Sequence, residues 1–198
     1  MSRRFGSRAR LVTVVGVVAV VGLVATGCSS SSTSSTTTTS SASSLASQVI
    51  GAAYANSVGF PKTVQAAKST KVTTQKGCTS SIEAVYEDAA GKTGLISDVL
   101  NCSSEASAAA ALVAARKHVT TDPSIAVPKA LGSSAFATSS NAPEYLIVWQ
   151  PHDRVGITAL DVDTTATSAT SAAASPLSAA QAQTLANAAA HQNSLYSS

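Results

Sequence analysis

Three cysteines, three histidines and one Gly-Lys-Thr triplet are the groups in this chain with obvious chemical potential. Gly91-Lys92-Thr93 matches the end of a phosphate-binding loop. That loop needs a glycine five residues before Gly91, where Tyr86 stands, and a following helix, where the pattern reads as a strand. His118, His152 and His191 share no i, i+4 spacing of the kind that holds a metal, so no metal or other cofactor is expected. His152-Asp153 could orient an imidazole for hydrolysis, but no Gly-x-Ser-x-Gly elbow supplies the nucleophile. Cys78 and Cys102 lack the Cys-x-x-Cys spacing of a redox site. The expectation is a protein without a catalytic site.

The third cysteine, Cys28, closes the stretch that organises the chain. Arg3, Arg4, Arg8 and Arg10 precede an apolar run from Leu11 to Ala25, and Thr26-Gly27-Cys28 follows. A charged segment, a short apolar segment and small residues form the anatomy of an export signal. A spanning helix needs roughly 20 apolar residues, and this run is shorter and interrupted by Gly16 and Gly22. Val24-Ala25-Thr26-Gly27-Cys28 resembles the lipobox of bacterial lipoproteins, with Ala25 where that motif usually has Leu. The resemblance implies diacylglycerol transfer to the Cys28 thiol, cleavage before Cys28, and acylation of the new amino terminus by a fatty acid such as palmitate. It places the protein on the extracytoplasmic face of the cell membrane, held there by lipid.

Charge narrows the partners. The chain carries a net +3, but four of its 13 basic residues lie in the signal. The remaining nine Lys/Arg face ten Asp/Glu, so no basic surface is left over for phosphates and nucleic acid is excluded as an expected partner. With Cys28 assigned to lipid, Cys78 and Cys102 remain as a pair in an oxidising compartment, where a disulfide is the default.

Three regions follow: a signal over residues 1–27, a lipidated cysteine and tether over 28–44, and a domain over 45–198. The tether is serine or threonine at almost every position and has no side chain able to anchor it in a core. The domain is long enough for a core of its own. Leu45 to Val58 reads as a first helix, ended by Gly59 and Pro61. Thr63 to Lys76 is ambiguous, with a helical turn and then a strand near Lys71–Gln75. Ser81–Glu87 and Gly94–Leu100 form a hairpin about Ala89-Ala90-Gly91.

If Cys78 faces Cys102, Ile82 opposes Asp98 and Ala84 opposes Ile96. That register puts Ile82, Ala84, Tyr86, Ile96 and Leu100 on the cysteine face, with Glu83 and Glu87 on the other. Asp98 is then a carboxylate on an apolar face, and the only candidate ligand-binding residue.

Ser104 caps a second helix to about Val119, with a buried stripe of Ala108, Ala111, Leu112, Ala115 and Val119. Leu131–Ser139, Tyr145–Trp149 and Arg154–Val162 read as strands, and Trp149 as core. Ser178 and Gln181 form a capping box for the last helix, with a stripe of Leu185, Ala188, Ala189, Leu195 and Tyr196. Strands in runs, each run followed by a helix, predict an α+β domain: an antiparallel sheet with helices packed on one face, in two βββα halves if the halves are a duplication.

Taken together, the lipobox, the Ser/Thr tether, the alanine-rich helices and the cysteine pair resemble an actinobacterial, mycobacterial-type cell-envelope lipoprotein. Leu131–Phe136 and Val148–Val155 are similar to small extracytoplasmic domains of that group, and to extracellular sensor domains of some mycobacterial serine/threonine kinases. The resemblance implies no catalytic residue. Two functions fit: a monomeric interaction or sensor-like module docking an envelope protein or polymer, or a carrier for a lipid or small apolar ligand. A long-chain carrier needs a pocket of several hundred Å³; close packing of alanine-lined helices argues against one unless the helices stand off the sheet on large residues elsewhere.

Overall fold

The structure, a computed structural model, describes residues 45–139, 144–162 and 177–196. The signal, Cys28 and the tether lie outside these residues. The order of elements is α1 (Ala52–Ser57), β1 (Lys62–Lys71), β2 (Cys78–Glu87), β3 (Thr93–Cys102), α2 (Glu105–Lys117), β4 (Phe136–Ser139), β5 (Glu144–Trp149), β6 (Arg154–Val162) and α3 (Ala179–Ser194). The fold is α+β, with six strands in the order β1-β2-β3-β6-β5-β4, every pair antiparallel.

The helices do not share one face, as the sequence reading expected. Ala108, Ala111 and Leu112 of α2 pack with Ile96, Leu100, Val155 and Ile157. Leu185, Ala188 and Ala189 of α3 pack with Leu95, Val99, Ile147 and Leu160 on the opposite side. The cause lies in the central strands. Leu95 to Leu100 are buried at every position, as are Val155 to Leu160. Successive side chains point to opposite faces, so each face needs its own cover.

The two halves do repeat as βββα, and their meanders meet at β3–β6. A two-fold axis normal to the sheet would relate the meanders but would put both helices on one side. Their placement on opposite sides breaks that symmetry.

Cys78 pairs with Cys102, and a disulfide joins them with the Cα atoms 3.8 Å apart. The next pairs are Ser80↔Asn101 and Ser81↔Leu100, so one extra residue sits in β2 beside the disulfide. This bulge corrects the expected register. Ile82 opposes Val99, Glu83 opposes Asp98, and Ala84 opposes Ser97. A one-residue shift reverses the faces of a whole strand. Ile82, Ala84 and Tyr86 therefore join the α3 side, while Ile96 and Leu100 stay with the cysteines.

Two other expectations fail locally. The expected helix over Leu45–Val58 is interrupted: Leu45-Ala46 and Ala52–Ser57 are helical, with a turn between them. Before Ala52, Leu45, Val49 and Ile50 are buried against the sheet, and the Ile50 peptide is held from both sides. Its N–H donates to Ser97 Oγ at 2.9 Å, and its carbonyl accepts from the Tyr86 hydroxyl at 2.7 Å. These bonds occupy backbone groups that a continuous helix would use. Thr63–Lys71 is strand throughout rather than helical turn and then strand. It forms an exposed edge with Lys62, Lys68 and Lys71 and two register irregularities, features that discourage pairing with another chain.

Local signals at the helix ends hold. Ser104 Oγ accepts from Ser107 N, and Ser178 with Gln181 makes a complete capping box. The predicted strand from Leu131 begins only at Phe136, after a 3-10 turn over Lys129–Leu131.

Candidate functional site

The turn between β5 and β6 forms one side of a cleft. Pro151-His152-Asp153 reverses the chain, and Arg154 N donates to Pro151 O at 3.0 Å. His152 takes a φ of +54°, a left-handed conformation uncommon outside glycine. Gln150 Nε2 donates both to His152 O and to Glu105 O, at 3.0 Å each, tying the turn to the start of α2. The His152 ring lies 3.5 Å from the Glu105 carboxylate, both side chains exposed.

Arg154 starts β6, and its side chain is largely buried. Three acceptors far apart in sequence hold the guanidinium. Nε donates to Gln48 Oε1 at 2.7 Å, and Nη1 donates to Asn101 Oδ1 at 2.8 Å and Asp153 Oδ1 at 3.0 Å. Beside it a cleft of about 200 Å³ is lined by Gln48, Pro151, His152, Asp153, Arg154 and Tyr196. The Tyr196 oxygen accepts from Gln192 Nε2 at 3.3 Å. Burial, with a smaller push from Asp98, raises the Tyr196 pKa above the ordinary phenol value, so it remains a protonated donor.

No protein-family model matches this chain, and no curated protein does.

The residues singled out in the sequence fall in separate places. His118 caps α2, His152 sits at the cleft, and His191 on α3 stacks on Tyr54 with ring centroids 3.7 Å apart. Burial lowers the His191 pKa. Among the described residues, no three His, Cys, Asp or Glu side chains form a group able to hold a metal. The N–H groups of Lys92 and Thr93, which a phosphate loop would offer to its ligand, donate instead to the Asp88 carboxylate at 2.9 and 3.1 Å.

Asp98 lies on the α2 side of the sheet, opposite Glu83, and is 6% exposed. It does not line the cleft. Its Oδ1 is buried without a hydrogen-bond partner. Burial first, and Glu83 second, push its pKa from 3.8 to about 7, against a hydrogen bond from the Val99 backbone. Glu144 behaves alike: burial, then Asp161 and Glu83, push it to about 7. Trp149 is fully buried, as expected of a core residue.

Sequence reasoning passed over Arg154, Gln48, Tyr196 and Gln192 as polar site residues. Gln192 is fully buried, accepts from Thr158 at 2.7 Å and donates to the Asp98 carbonyl at 3.0 Å. The available signal was a polar residue on the buried stripe of α3, three after Ala189. Gln48 and Arg154 are 106 positions apart, and no local pattern links them.

Proposed function

We propose that this chain is a lipid-anchored extracytoplasmic module of the cell envelope that recognises a partner rather than catalysing a reaction, as an interaction or sensor-like domain. The observation that carries this reading is the packing on both sides of the sheet. Ala108 on one face, and Ala188 and Ala189 on the other, are fully buried, so each helix lies close to the strands. Small residues at such contacts bring the layers together with little interior volume. That disfavours a carrier, which needs several hundred Å³ of apolar pocket. The Cys78–Cys102 disulfide suits an oxidising compartment. The export signal and the lipobox-like stretch ending at Cys28 support anchoring at the membrane.

The test is mass spectrometry of material that co-purifies with the natively processed protein. A stoichiometric envelope protein or polymer is the expected result. A stoichiometric long-chain lipid other than the anchor would replace this reading with the carrier.

A further inference from the structure

The cleft beside the β5–β6 turn has more donors than its own structure uses. Nε and Nη1 of Arg154 are committed to Gln48, Asn101 and Asp153. Among the described residues, neither Nη2 proton has a hydrogen-bond partner. The Tyr196 oxygen accepts from Gln192, and its own proton has no acceptor among those residues. Both residues line the same cleft. A guanidinium fixed on one edge and free on the other is already oriented, so a ligand meeting the free edge loses little further side-chain entropy.

The charge balance selects the ligand. Arg154 is paired with Asp153 at 3.0 Å, and the exposed His152 ring faces Glu105. The cleft is therefore close to neutral, and a second negative charge would meet Asp153 without compensation. A volume of about 200 Å³ holds a carboxyl group with a few further heavy atoms.

We propose that this cleft binds a small monoanionic carboxylate, which accepts from the free Nη2 edge of Arg154 and from the Tyr196 hydroxyl. Hydrogen bonds from a cation to a carboxylate are the stronger kind, and a buried phenol kept protonated adds a second donor. His152 contributes the lip. Its left-handed backbone turns the chain sharply enough to bring Asp153 and Arg154 to the cleft, and sparsely populated conformations of this kind cluster at ligand sites. The site depends on the fold alone and does not require the lipid anchor, so loss of anchoring would leave it standing.

The test is titration of the full chain in detergent micelles with propionate and, separately, with orthophosphate, followed by the side-chain NMR signals of Arg154. Propionate should saturate a single site, and orthophosphate should bind more weakly. Tyr196→Phe removes the proposed ligand bond together with the 3.3 Å bond from Gln192, so it should lower the melting temperature slightly while leaving the domain folded, and should weaken propionate by about fivefold. Arg154→Lys should abolish saturation, and because Lys cannot replace all three structural bonds, the Tyr196→Phe result decides if that variant unfolds. Non-saturable shifts, equal affinity in the folded Tyr196→Phe variant, or tighter binding of orthophosphate would each overturn the assignment.

Discussion

The indole of Trp149 occupies the space above Gly156, its cross-strand neighbour: a Cβ built on Gly156 would lie 2.5 Å from two indole carbons. The only tryptophan of the chain is thus seated by the absence of a side chain on the adjacent strand.

Gly156→Ala should therefore destabilise the domain by about 1–3 kcal/mol, the usual cost of overpacking. Gly94→Ala is the control, because its nearest neighbours would sit at an ordinary 3.7 Å. Urea denaturation of both variants checks this. Equal midpoints would show that Trp149 moves aside without cost.

Removing the disulfide should cost about 3 kcal/mol in the chain-entropy model, for a bridge spanning 24 positions. The Cys78→Ala, Cys102→Ala double variant should lose that stability. Peptide mapping without reduction should recover the two cysteines in one linked pair.

Stability should fall as pH rises from about 4 to about 7. Asp98 titrates at 3.8 when unfolded and about 7 when folded, so in this window the folded state holds a proton that the unfolded chain has released. The stabilisation is complete below about pH 4 and lost above about pH 7, a span worth on the order of 4 kcal/mol. Glu144 adds to the same slope. Asp98→Asn should flatten the profile and stabilise the protein at pH 8, as followed by thermal melts. A profile unchanged by that substitution would mean that Asp98 is not held protonated.

The clamp on Ile50 should be cooperative. Tyr86→Phe leaves the Ile50 carbonyl without its partner, and Ser97→Ala does the same for its N–H. Each should cost about 1–3 kcal/mol, since a buried polar group is left unpaired. A double-mutant cycle should show coupling, because either loss frees the same segment.

Cys28→Ser tests the proposed anchor. The variant should accumulate as an unprocessed or released chain. If it still fractionates with membranes at the shortened, mature size, the anchor lies elsewhere.

Much of the fold was legible because it is written in local chemistry. A capping serine needs only its own N-terminal turn, so Ser104 and Ser178 declared their helices directly. The cysteine pair emerged from count and from the oxidising compartment that the signal-like N-terminal stretch implies. The near-continuous apolar run Tyr145–Trp149 also carried the sign of a strand covered on both faces, since burial at consecutive positions serves both.

What the chain alone determined, then, is the α+β class, the succession of elements from β2 to α3, the caps of α2 and α3 and the Cys78–Cys102 pairing. Each follows from interactions within a few residues or from a two-membered choice. Tertiary structure decided the rest. The bulge beside Cys78 set which faces of β2 are buried, because a single unpaired residue inverts the alternation of everything after it. The split of α2 and α3 between faces, the Ile50 clamp and the Arg154 cleft all depend on groups dozens of residues apart. Their energies come from burial and from satisfying polar groups in three dimensions, which no spacing along the chain records.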